Sequence, residues 1–126
     1  MSLQLSMTFK KHIWSTPSEF KDLSGAREIA IDLETRDDGI AQGLGAGWAL
    51  KKGNIIGFAV AVEGWQGYFP FGHFGGGNMI PDQVKAYIKQ VCELPCPKIF
   101  HNAQYDVGWL LSEGYTVNGP IIDTMI

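Results

Sequence analysis

The chain has 126 residues and a mass of 13.9 kDa, enough for one compact domain and too short for two ordinary ones. Apolar residues make up 45% and charged residues 18%, so a real core can form and wholesale disorder is excluded. A net charge of −3 and a pI of about 5.5 exclude a basic protein that coats duplex DNA by neutralising phosphates, but leave room for a site that handles one strand through metal ions.

Residues 1–25 read as a mixed, polar extension, in which Pro17-Ser18-Glu19-Phe20 predicts a helix start and Gly25 its stop. They carry no signal-peptide pattern, and no stretch of the chain approaches the ~20 apolar residues that span a bilayer. A cytoplasmic protein without membrane contact is therefore expected. Residues 28–34 (EIAIDLE) alternate as a strand, and residues 35–47 read as a loop. Trp48 to Leu50 predicts a short strand or turn. Asn54 to Val62 is a strong strand, Glu63-Gly64 a turn, and Trp65 to Phe71 the hairpin partner. Gly72 to Met79 (GHFGGGNM) is a loop. Pro81 to Leu94 predicts a helix with Val84, Tyr87, Ile88 and Val91 on one stripe. Lys98 to Phe100 is a short buried strand. Asn102 to Gly114 is a second helix with Asn102 as N-cap, and Ile121 to Ile126 is a last strand. A hairpin followed by βαβαβ predicts an α/β fold: a mixed sheet of antiparallel and parallel strands with flanking helices. The domain is expected over residues 26–126 and, ending inside an apolar strand, to be incomplete at its C-terminus.

Two elements break the apolar pattern. In the first strand Ile29, Ile31 and Leu33 share one face, while Ala30, Asp32 and Glu34 share the other. Two carboxylates two residues apart raise each other's pKa unless a cation neutralises them. They also stand at the carboxyl end of a strand, where open α/β sheets place ligands. The second helix repeats the anomaly: its expected inward stripe is Ala103, Asp106, Val107, Leu110, Leu111 and Gly114, and Asp106 takes an apolar place. Three hard oxygen donors suit Mg²⁺ or Mn²⁺ rather than zinc. Two such ions suit in-line displacement at phosphorus, so the chemistry points to phosphodiester hydrolysis.

Ile31-Asp32-Leu33-Glu34-Thr35 resembles the first motif (D-x-E-T) of the DnaQ-like, DEDD-type 3′–5′ proofreading exonucleases. His101-Asn102-Ala103-Gln104-Tyr105-Asp106 resembles their second motif (N-x-x-Y-D), and Ile122-Asp123-Thr124-Met125 is similar to the segment that follows it in family A DNA polymerases. The resemblance runs over residues 28–126. It implies a ribonuclease H-like fold and a two-metal exonuclease taking the 3′ end of single-stranded or frayed DNA, attached to the polymerase domain of a parent chain. Asp32 would bridge two Mg²⁺ or Mn²⁺ ions, Glu34 would ligate the ion that activates water, and Asp106 would hold the second, directly or through water. Thr35, Asn102 and Tyr105 would meet the terminal nucleotide. Asp123 would support the site rather than ligate metal, with His101, which has no fixed family role, beside the motif. The family's third motif, Y-x-x-x-D or H-x-x-x-D, lies further downstream and is not in this sequence. Weak metal binding and little turnover are therefore expected of the chain alone. An RNase D-like exoribonuclease and a non-catalytic module that binds DNA ends are the alternatives.

Other signals read as structural. Cys92 and Cys96 form C-x3-C, neither a redox pair nor half a zinc finger, and are expected to be free thiols. Gly43, Gly45 and Gly47 fail the dinucleotide pattern because position 48 is Trp. His73 is expected to be a plain loop histidine. Trp14, Trp48, Trp65, Trp109, Phe69 and Phe71 are expected mostly in packing, with one or two free to stack on bases.

Overall fold

The computed structural model describes residues 19–125. Strand β1 (Ile29–Asp37) leads through two single-turn helices, α1 (Asp38–Ala41) and α2 (Gly47–Leu50), into the hairpin β2 (Gly53–Val62) and β3 (Trp65–Pro70). Helix α3 (Pro81–Glu93), strand β4 (Lys98–Phe100), helix α4 (Ala103–Ser112) and strand β5 (Ile121–Asp123) complete the order. The strands form one sheet in the order β3-β2-β1-β4-β5. The β1–β2 and β2–β3 pairs are antiparallel; β1–β4 and β4–β5 are parallel. This mixed sheet with flanking helices is the α/β, ribonuclease H-like architecture expected.

Alternation along β1 decides which face is packed. Ile29, Ile31 and Leu33 join Phe58, Val60, Phe69 and Phe100 in the main core, which α3 closes with Val84, Tyr87, Ile88 and Val91 and α4 with Trp109 and Leu110. Ala30 lies on the opposite face with Ala59, Ala61, Tyr68 and Ile99. Small side chains keep that face low, which leaves height for the carboxylates of Asp32 and Glu34. β1 pairs with β4 through only two residue pairs, Ile29 with Lys98 and Ala30 with Ile99. Beyond them β4 turns away into α4 and the sheet parts.

Several expectations are corrected. Residues 19–25 are not helical. Phe20 instead stacks on Phe69, with ring centroids 5.2 Å apart, and the Asp22 carboxylate accepts the Ser24 N–H in a local turn. Burying Phe20 and Leu23 favours an extended strap over a helix whose other positions are exposed. β1 runs three residues further than expected, and residues 38–50 contain two short helices in place of a loop followed by a short strand or turn. β5 ends at Asp123, because Asp123 turns its carboxylate back on the chain and accepts the Met125 N–H. Residues 1–18, including Lys10, Lys11, His12 and Trp14, lie outside the described residues.

Lys98 is fully buried, and its ammonium donates to the carbonyls of Leu94, Cys96 (2.9 Å) and Asn118 (2.7 Å). Burial holds its pKa below the usual lysine value. Cys92 and Cys96 are free thiols, and burial pushes the Cys92 thiol up to about 12, where it is inert at neutral pH. No helix among the described residues is long and apolar enough to cross a membrane.

Candidate functional site

A cleft of about 540 Å³ opens where β1 and β4 part. Asp32, Glu34 and Thr35 of β1 line one wall; His101, Asn102, Tyr105 and Asp106 line the other. Thr124 and Met125 close its end. Of the residues singled out in the sequence, only Asp123 lies outside this lining.

Asp32 and Glu34 are half-buried on the alanine face of β1. Asp106 is 4% exposed, in the first turn of α4. The partial positive charge at the helix N-terminus favours a carboxylate there. Thr35 stands on the opposite side of the strand from Glu34. Between Glu34 and Thr35 the register with β2 slips: Glu34 faces Gly57, Thr35 faces Ile55, and Ile56 bulges. An extra residue of this kind increases the local twist of the strand pair. Ile55 then donates its N–H to the Glu113 carboxylate (2.7 Å), and the Ile56 carbonyl accepts the Phe71 and Gly72 N–H groups at the root of the next loop.

The start of α4 is fixed from outside the helix. Asn102 has φ of 69° and makes no side-chain cap. The Asp123 carboxylate accepts the N–H groups of Asn102 and Ala103, both at 3.0 Å, and so performs the capping expected of Asn102. These bonds, with that from Met125, hold its carboxyl below the usual range. His101 Nδ1 lies 3.1 Å from the Thr124 hydroxyl. The inward stripe also differs from expectation. Ala103, Asp106, Trp109 and Leu110 are buried, Val107 is intermediate, and Leu111 is 57% exposed. Gly108 explains the rotation, because the Trp48 ring of α2 lies where a side chain at 108 would be.

Asp37 is the residue that the sequence did not single out. Its carboxylate caps α1 through the Ile40 N–H (2.9 Å), accepts the Gly47 N–H (3.0 Å), and accepts the Tyr105 hydroxyl (2.7 Å). The Tyr105 hydroxyl also lies 2.9 Å from that of Thr35. The Tyr105 hydroxyl is thus tied to β1, and its ring is set against the cleft. The only local signal was Asp37-Asp38-Gly39, a capping and turn pattern. Burial alone would raise the Asp37 pKa, but the hydrogen bonds from Gly47, Ile40, Tyr105 and Gly39 outweigh it and lower the value. A lowered carboxyl pKa contributes stability that is present above the unfolded value near 3.8 and lost as pH falls through the folded one. Asp37→Ala should cost about 1–2 kcal/mol at pH 7 in urea unfolding. The deficit should shrink toward pH 3; an unchanged deficit at pH 3 would refute the linkage.

Tyr68 joins the same face. Asp32 pairs with Ala59, and Ala59 pairs with Tyr68 one strand further. The Tyr68 hydroxyl lies over Gly57, the cross-strand neighbour of Glu34. Burial, then the charges of Glu34 and Asp32, raise its pKa, so it remains a protonated phenol. It lies 2.6 Å from His73 Nε2.

The donors in this cleft are carboxylate oxygens, the type that hard divalent cations take. Among the described residues, however, no three His, Cys, Asp or Glu side chains converge into a cluster that could hold a metal ion. The three carboxylates fit Mg²⁺ or Mn²⁺ by chemistry and share one cleft without forming a ready-made cage.

No known protein-family model matches the chain. In an alignment of 106 positions that covers 80% of the chain, it is 36% identical to a DNA-directed DNA polymerase of Pseudomonas phage M6. The chain spans 16% of that polymerase's length. The similarity thus covers one segment of a much larger protein.

Proposed function

We propose that the chain is the 3′–5′ exonuclease part of a DNA polymerase, hydrolysing the terminal phosphodiester of single-stranded or frayed DNA. The observation that carries this reading is the meeting of Asp32 and Glu34, from the end of β1, with buried Asp106, from the start of α4, in one cleft. Similarity to a phage polymerase supports the setting. The partners in this reading are the 3′ end of the strand and the polymerase domain of a longer chain, in the cytoplasm.

Asp32, Glu34 and Asp106 would hold Mg²⁺ or Mn²⁺ from opposite walls of the cleft. When bound, such an ion neutralises phosphate charge and acidifies a coordinated water. The chain supplies the positioning. Asp123 fixes the Asn102–Ala103 backbone, and with it the first turn that carries Asp106 into the cleft. Thr35 and Asp37 orient Tyr105, whose ring then forms a wall against which a terminal nucleotide can rest.

The test is 3′ trimming of a 5′-labelled single-stranded DNA with Mg²⁺ or Mn²⁺, beside an Asp106→Ala control. A ladder shortening from the 3′ end, absent in the control, is the expected result. It should be slow for this chain, whose carboxylates form no ready-made cage, and faster for the chain joined to a polymerase segment that carries a Y-x-x-x-D or H-x-x-x-D motif. No ladder from either form would overturn the reading. Preference for an RNA strand would move it to an exoribonuclease.

A further inference from the structure

Phe74 is 94% exposed at the tip of the loop between β3 and α3. A single exposed aromatic is ordinary. This one sits on a loop that is held, and held beside the carboxylates. The root is closed by the Met79 N–H donating to the Pro70 carbonyl (2.8 Å). Asn78 bridges the loop at His73, accepting its N–H at 2.9 Å and donating to its carbonyl at 2.8 Å. His73 is in turn tied by its ring to Tyr68, whose hydroxyl lies over Gly57, the cross-strand neighbour of Glu34. Phe74 follows His73 directly, and Gly75, Gly76 and Gly77 all have positive φ, which a chain of larger residues would resist. The loop is thus clamped at one end, turned sharply by glycines, and stands on the carboxylate face of the sheet.

We propose that Phe74 is a stacking platform for an unpaired base of the strand whose 3′ end enters the cleft, set in place by the Tyr68–His73–Asn78 clamp. This inference rests on the function proposed above. An acidic site gains little from charge attraction to DNA, so a ring that stacks on any base supplies grip without sequence preference. Tyr68 and His73 are positioning residues: they set where the ring stands and need not touch the base.

The experiment is fluorescence anisotropy with a labelled single strand bearing uncleavable 3′-terminal linkages, and with the same strand made abasic near its 3′ end. Phe74→Ala should weaken binding of the normal strand about tenfold, the loss of one stacked base. It should leave binding of the abasic strand unchanged, and Phe74→Trp should restore the normal affinity. His73→Ala, which loosens the clamp and keeps the ring, should give a smaller loss that is likewise confined to the normal strand. Phe74 is exposed, so its replacement leaves folding intact. Equal binding by wild type and Phe74→Ala, or an equal loss on both strands, would overturn the platform while a 3′-trimming ladder still stood. Failure of the wild-type chain to bind either strand would overturn both the platform and the functional reading.

Discussion

Asp106→Asn should abolish 3′ trimming, by at least about a hundredfold, while leaving the fold as stable or more so. The side chain is 4% exposed and shares its cleft with two other carboxylates. Burying a charge is costly, and like charges nearby add to that cost. The amide has almost the same shape and no charge, so the substitution relieves the strain of the resting site. What it removes is a hard oxygen ligand on the wall opposite Asp32 and Glu34, and loss of one such ligand forfeits several kcal/mol of transition-state stabilisation. Activity and stability should therefore move in opposite directions, as is common where a site is built against the interests of the fold. Trimming rates and thermal melts without divalent ions, run on the same preparation, test both halves. Retained trimming would remove Asp106 from the site.

Lys98→Met should act in the reverse sense, costing about 3 kcal/mol of stability through residues that touch no substrate. The ammonium satisfies three carbonyls around a turn, and each carbonyl left without its donor costs about 1 kcal/mol or more. Escape from burying the charge offsets part of this, but methionine has nothing to offer Leu94, Cys96 and Asn118. At about 4 °C per kcal/mol for a domain of this size, the melting temperature should fall by roughly 12 °C. Lys98 also pairs with both Ile29 and Ile121, so the short strand β4 that leads to Asn102 should loosen first. Amide exchange at Lys98–Phe100 should rise before exchange in β2. A melting temperature within a degree or two of wild type would show that water replaces the lysine without cost.

Much of the sheet is written locally. Strict alternation in β1, the β2–β3 hairpin and the apolar stripe of α3 each follow from neighbours within a few residues, and the bounds expected for β2, β3 and α3 match the structure to within one residue. The carboxylates of Asp32, Glu34 and Asp106 stood out for the same reason: each interrupts a local pattern. What was not legible depends on distant partners. Asn102 looked like a cap, but the cap comes from Asp123, 21 residues on. Leu111 looked inward, but Trp48 lies against Gly108 and turns the helix so that Trp109 fills the core instead. Four-residue helices such as Gly47–Leu50 lie below the length at which intrinsic propensity speaks. Asp37 carries only a capping and turn pattern and Lys98 no local signature, since the role of each is defined by groups brought to it by the fold. Phe74 was hidden in a glycine-rich run whose order comes from the side chains of Tyr68, His73 and Asn78.

The bonds of Asp123 also make a mechanical linkage. One carboxylate grips amides at the start of α4 and, through Met125, the chain that leaves β5. Thr124, next to it, donates its N–H to the Phe100 carbonyl of β4 (2.9 Å), so the turn that aims Asp106 and the exit from β5 share one anchorage and loosening either loosens the other.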